Sequence, residues 1–165
     1  MIGSILKWTA ILVLAFLFQT TLVQTIAVAG VQPDLILVAL FFLSIQGGSL
    51  TGIYVGFFLG LGQDLYSPSV LGQNALGKTI AGAFCGLFNE KVMRTDPLIR
   101  LVILVLVFFL HDAVFSIASA VKFEGSLSGV MPSLLTETLP RALYSVVIAA
   151  ATYVWIYVVR PATAR

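Results

Sequence analysis

Apolar residues fill this chain in long runs, and short polar or proline-bearing breaks separate one run from the next. Run lengths and breaks together predict helices over about 8–29, 33–47, 49–65, 71–89, 98–121 and 140–160. Pro33-Asp34 ends the first helix and suits the opening of the second, and Gln63-Asp64-Leu65-Tyr66-Ser67-Pro68-Ser69 reads as a polar turn. Pro140 suits the first turn of the last helix. Gln19, Thr20, Thr21 and Gln24 interrupt the apolar run in the second half of the first helix, so that face is expected to look inward. The runs at 33–47 and 49–65 are short against a bilayer. They are either short spans or a re-entrant hairpin, and both return the chain to the side it left.

Glycines punctuate the centre of this pattern. Gly48, Gly52, Gly56 and Gly60 recur every fourth residue, which on a helix makes one smooth stripe, and Gly82 and Gly86 repeat the spacing. The stripe serves either close packing inside the bundle or a face for a partner's helix. A second amphipathic stretch lies within 122–139, where Leu127, Val130, Met131, Leu134 and Leu135 recur at helical spacing. It predicts an interfacial helix that either covers the ends of the bundle or docks a partner.

Composition turns these runs into a membrane protein. Hydrophobic residues make up 59% of the chain and charged residues 10%, where a soluble domain would carry about a quarter charged. The mean hydropathy of +1.06 agrees. In 165 residues there is room for five or six spans in one integral membrane domain, 1–165, and no hidden soluble domain. The first run exceeds a signal-peptide core and meets no small-residue cleavage pattern, so it reads as a retained helix. A net charge of +2 argues for no nucleic-acid partner, and the lone Cys85 excludes an intrachain disulfide or cysteine metal site. With six crossings and the N-terminus inside, Lys7, Lys91, Arg94, Arg100, Arg160 and Arg165 fall on the cytoplasmic side, and Lys122 and Arg141 fall outside. Trp8, Trp155 and Tyr157 then sit at the inner interface, where amphipathic rings gather.

Charges inside a bilayer are costly and therefore mark sites. Lys78, His111 and Asp112 fall within expected helices, with Asp64 at the outer end of another, and Lys78 is expected to pair with Asp64 or Asp112. The set suits either a proton relay or a structural ion pair that locks helices together. No Ser and Lys or paired Asp arrangement recurs at mid-depth, and one His beside one Asp makes no metal site, so no catalytic, cofactor or metal residue is assigned.

Pro33-Asp34 before a short apolar run, Gly56-Phe57 with Gly60, then Asp64-Leu65, Ser67, Ser69 and Leu71-Gly72, resemble the signature of the bacterial rod-shape-determining MreD family. The resemblance implies a non-catalytic inner-membrane scaffold of the cell-elongation machinery, with membrane lipid around it and both termini cytoplasmic. It implies MreC, a single-pass protein, as partner, and through it MreB filaments and the peptidoglycan synthase formed by RodA and a class B penicillin-binding protein. A homodimer is left open. The family also implies an all-helical, six-span bundle resembling the S components of energy-coupling-factor transporters. That likeness supplies a rival function, a vitamin-binding transporter subunit, for which Gln19, Gln24, Gln63 and Asn74 would line a small polar pocket. The rival's usual docking motif, Ala-x-x-x-Ala on the first helix, is missing, because Ala10, Ala15, Ala27 and Ala29 contain no pair four apart.

Overall fold

The computed structural model describes residues 2–21, 25, 27, 31–67, 71–88, 97–122 and 130–159. Its helices are α1 (Ile2–Thr21), α2 (Leu35–Tyr66), α3 (Gln73–Leu87), α4 (Pro97–Lys122) and α5 (Leu139–Val159). A short helix, Val130–Ser133, and a π-helical turn, Leu134–Thr138, lead into α5. Among the described residues, three stretches are long and apolar enough to cross a membrane, Leu35–Tyr66, Ile99–Val121 and Leu134–Ala151, and Trp8–Thr21 is a shorter apolar helix.

Among the described residues, five long helices stand where six were expected. The runs at 33–47 and 49–65 form the single element α2, interrupted inside by Gly48 at φ 80 and ψ 178. That conformation is open to glycine and strained for any side chain. A straight helix would hold Ser44 and Gly52 about 12 Å apart. Instead a Cβ built on Gly52 would stand 2.8 Å from Ser44 Oγ, so the chain doubles back at Gly48. Leu35 and Tyr66 therefore lie toward one end of the bundle and Gly48 toward the other.

The arm of α2 before Gly48 is apolar all round because it is surrounded. Ile36, Leu37, Leu40 and Phe41 are buried, and Leu37, Leu40, Phe41 and Ile45 form one core with Ala81 and Cys85 of α3, Ile103, Leu104, Val107 and Phe108 of α4, and Ala142 and Ala149 of α5. The arm after Gly48 packs one side on α3 and exposes Leu50, Tyr54, Phe57, Phe58 and Leu65 on the other.

Two boundaries differ from expectation. The helix opened by Pro140 extends back to Val130 through the π-helical turn, which adds one residue to the repeat where Pro140 removes a donor. The described part of α1 runs Ile2–Thr21 instead of 8–29. Near its end Thr20 and Thr21 donate back to Phe16 and Leu17 carbonyls, while Gln19 reaches the next element. Residues 123–129, Ser69, Gln24, Lys91, Arg94, Arg160, Arg165 and the side chains of Lys7, Lys122, Trp155 and Tyr157 lie outside the described residues. The interfacial face proposed on Leu127 and the count of basic residues on either side of the membrane fall largely there.

Candidate functional site: a seam of glycines and a chain of buried charges

Along the α2–α3 seam, backbone meets backbone. A Cβ on Gly52 would strike the carbonyl of Gly82, and one on Gly82 would strike that of Gly52. Gly56 abuts the backbone of Lys78 and Thr79, Gly60 that of Asn74 and Ala75, and Gly86 that of Gly48 and Ser49. Every fourth residue of the stripe after the kink is thus spent on α3. Gly48 forms the reversal, where an added Cβ would meet nothing within 4 Å, and Gly72, at φ 98, precedes α3 in a left-handed conformation. Phe57 lies off the seam, 45% exposed.

The seam ends in a carboxylate clasp. Asp64 Oδ2 accepts from the backbone N–H of Gly72 (2.9 Å) and Ala75 (3.0 Å), and Oδ1 accepts from Asn74 N and Nδ2 (3.0 Å each). Gly72 itself offers no capping side chain, so a residue from α2 satisfies the orphan donors of α3 and places a negative charge at its positive end.

Beside the clasp runs a chain of charges through four elements. Asp34, following Pro33, is the N-cap of α2; its Oδ1 accepts from Leu37 N at 2.8 Å. Its Oδ2 accepts from Lys78 Nζ of α3 at 2.7 Å, and the Lys78 side chain is fully buried. Nζ also lies 3.4 Å from His111 Nε2 of α4, and His111 Nδ1 is 2.9 Å from Asp112 Oδ1. With Nδ1–H donating to Asp112, Nε2 is the acceptor that faces Lys78. Arg141 of α5 closes the chain, with Nη1 3.3 Å from Asp112 Oδ2. Ser145, one turn on, donates to the Arg141 carbonyl at 2.8 Å and accepts from Asp34 N at 3.1 Å, which joins the last link to the first. Gln19 ties α1 in by donating to Pro33 O (3.0 Å) and accepting from Leu35 N (2.8 Å).

Lys78 therefore pairs with neither carboxylate expected for it. Asp64 is occupied by the α3 backbone and Asp112 by His111 and Arg141, leaving Asp34, which was expected only as a turn residue. Three further members escaped the sequence reading. Gly77 lets the His111 ring press against α3, where a Cβ would lie 2.9 Å from Cδ2. Arg141 was assigned to the outer surface, and Ser145 was not singled out. Their signal was the spacing of four that puts both on one face of a helix.

Asp34, His111, Asp112 and Arg141 line a cavity of about 240 Å³ together with Gln19, Gln63, Ser67, Asn74 and Phe115. Three of the four residues expected to line a polar pocket, Gln19, Gln63 and Asn74, meet here, and the fourth, Gln24, is outside the described residues. Among the described residues, no three His, Cys, Asp or Glu side chains converge as a metal site would require. The arrangement can hold helix ends together and present hydrogen-bonding groups to one cleft.

No match is found among curated proteins or among solved structures. The described residues form an all-helical architecture with apolar, membrane-length helices, and the expected six-helix likeness to transporter S components is not supported. The model of the rod shape-determining protein MreD family matches residues 1–160, nearly the whole chain. With apolar membrane-length helices and a buried polar lock at one end, the chain belongs to the rod shape-determining protein MreD family.

Proposed function

We propose that the protein is a non-catalytic scaffold of the cell-elongation machinery, a multi-pass protein of the bacterial inner membrane with both termini cytoplasmic. It binds MreC and, through it, helps couple MreB filaments to the RodA and penicillin-binding-protein synthase. The observation that carries this reading is the family match over residues 1–160.

Geometry supports positioning in preference to proton transfer. The buried Asp, Lys and His side chains among the described residues, Asp34, Asp64, Lys78, His111 and Asp112, gather toward the end of the bundle away from Gly48, and no series of such groups leads across it. A relay needs such a series, whereas a lock needs only the helices it joins. Because the glycine seam is used within the chain, the partner helix is assigned to the opposite side of α2, along Tyr54, Phe57 and Phe58.

A mild-detergent pull-down of the tagged native protein tests both statements. The expected result is near-stoichiometric recovery of a single-pass, wall-associated protein, reduced several-fold by the double change Phe57→Ala and Phe58→Ala with the melting temperature unchanged. Recovery of ATPase subunits in place of that partner would overturn the scaffold reading. Undiminished recovery with the double variant would overturn only the choice of face. Leu at Gly56 or Gly60 is also expected to lose the partner, but through collapse of the α2–α3 seam.

A further inference from the structure

His111 is the sole histidine of the chain, so one imidazole carries whatever titration histidine brings near neutral pH. It forms the middle link of the charge chain. From α3 the Lys78 ammonium stands 3.4 Å from Nε2, and on α4 itself Asp112 lies 2.9 Å from Nδ1. Asp34, which opens α2, stands behind Lys78, and Arg141 of α5 stands behind Asp112. Elsewhere on the elements packed around it, Asp64 is taken up by the α3 backbone and Glu137 of the π-helical turn is exposed. With the imidazole neutral, two carboxylates balance two cations.

A proton added at Nε2 upsets this link. It turns the acceptor that faces Lys78 into a donor, so the contact between them is lost. It also sets two cations 3.4 Å apart where little water screens them, and leaves the chain of charges with one cation in excess. The ring has little room to turn away. The backbone at Gly77 abuts its edge, where a Cβ would lie 2.9 Å from Cδ2, and the Phe115 ring stacks on it at 6.4 Å between centroids. Lys78 is no freer, being fully buried and tied to Asp34 at 2.7 Å. Relief therefore comes from movement of α4 against α3. Protons have a route to the ring, because His111 lines the cleft of about 240 Å³, whose polar walls include the exposed Gln32. A water molecule takes up roughly 30 Å³ of liquid, so the cleft has room for several.

We propose that His111 makes the helix lock acid-sensitive: by taking up a proton at Nε2 it parts from Lys78 and loosens α4 from α3. One proton at one site suffices, so no series of groups across the bundle is needed, and the inference does not depend on the scaffold reading. An unfolded chain carries an imidazolium without a cation pressed against it, so acidification favours unfolding and neutral pH favours the lock.

The test is thermal unfolding of the full-length protein in a neutral detergent from about pH 8 to about pH 5, the interval in which histidine titrates. The native protein is expected to lose several degrees of melting temperature across it. His111→Gln, whose amide offers a donor and an acceptor but does not titrate, is expected to lose less than half as much. A second measurement needs no variant: with ¹⁵N-labelled histidine the chain gives the nitrogen signals of one imidazole. These are expected to show a neutral ring with its proton on Nδ1 at the alkaline end, and a charged ring by the acid end, where the melting temperature has fallen. Should His111→Gln fail to fold, the nitrogen signals read beside the native melting curve carry the test. A melting temperature that does not change with pH, an equal loss in His111→Gln, a ring already charged at the alkaline end, or a ring that stays neutral throughout would overturn the proposal.

Discussion

The α2–α3 seam and the charge chain beside it both hold helices together, and they do so by opposite physics. In the seam, Gly52 and Gly82 remove side chains until backbones touch, and association rests on dispersion and close approach. In the chain, Asp34, Lys78, His111, Asp112 and Arg141 keep long polar side chains in an apolar setting and are stable only because each has a partner. The seam is therefore intolerant of anything added, and the buried links of the chain are intolerant of anything singly removed. Apolar surroundings supply little driving force between helices in lipid, so a membrane protein needs both devices where a soluble one would use a larger core.

The contrast orders the effects of substitution. Gly52→Leu is expected to be the most damaging, because the clash is with a backbone carbonyl that cannot rotate away. Its cost should exceed the roughly 3 kcal/mol of ordinary overpacking, read as loss of the monodisperse peak in size-exclusion chromatography. Asp64→Ala comes next, at about 2 kcal/mol, since it strips one carboxylate from four donors at the start of α3. A thermal-unfolding series would show it, with Asp64→Asn closer to native. Gly48→Ala should cost about 1–3 kcal/mol, from the positive-φ, extended-ψ backbone alone, because the added Cβ meets nothing within 4 Å. If Gly48→Ala proved as damaging as Gly52→Leu, the reversal would be a packing site and the distinction drawn here would fail. Arg141→Gln is the mildest, under about 1 kcal/mol, since the pair with Asp112 is long and partly exposed.

What could be read from the residues follows the same division. A spacing of four is a property of one helix, so the stripe through Gly52, Gly56 and Gly60 was visible without knowing what lay opposite. Asp64 and the start of α3 are eight to eleven residues apart, within reach of a local capping argument. Lys78 and Asp34 are 44 residues apart, and Asp112 and Arg141 are 29 apart. Nothing local distinguishes Asp34 as a plain N-cap from Asp34 as an N-cap whose second oxygen holds a lysine. A reversal between the runs at 33–47 and 49–65 was legible, because short spans and a hairpin both return the chain to the side it left; its seat at Gly48, read as one of the packing stripe, was not. The continuous passage from Val130 into α5 was hidden, because Pro140 ordinarily starts a helix and here follows a π-helical turn.

The central claim is that the buried charges are a lock, and a double-mutant cycle on Asp34 and Lys78 tests it most directly. Asn at 34 retains an oxygen for Leu37 N, and Met at 78 retains the length of the lysine stem. Lys78→Met alone should cost about 3–5 kcal/mol by stranding a buried carboxylate, and Asp34→Asn a similar amount by stranding the ammonium. The double variant should return to within about 1 kcal/mol of native, because removing both partners leaves nothing unpaired. Strictly additive losses, with the double variant worse than either single one, would contradict the lock and return these residues to a role that each performs alone.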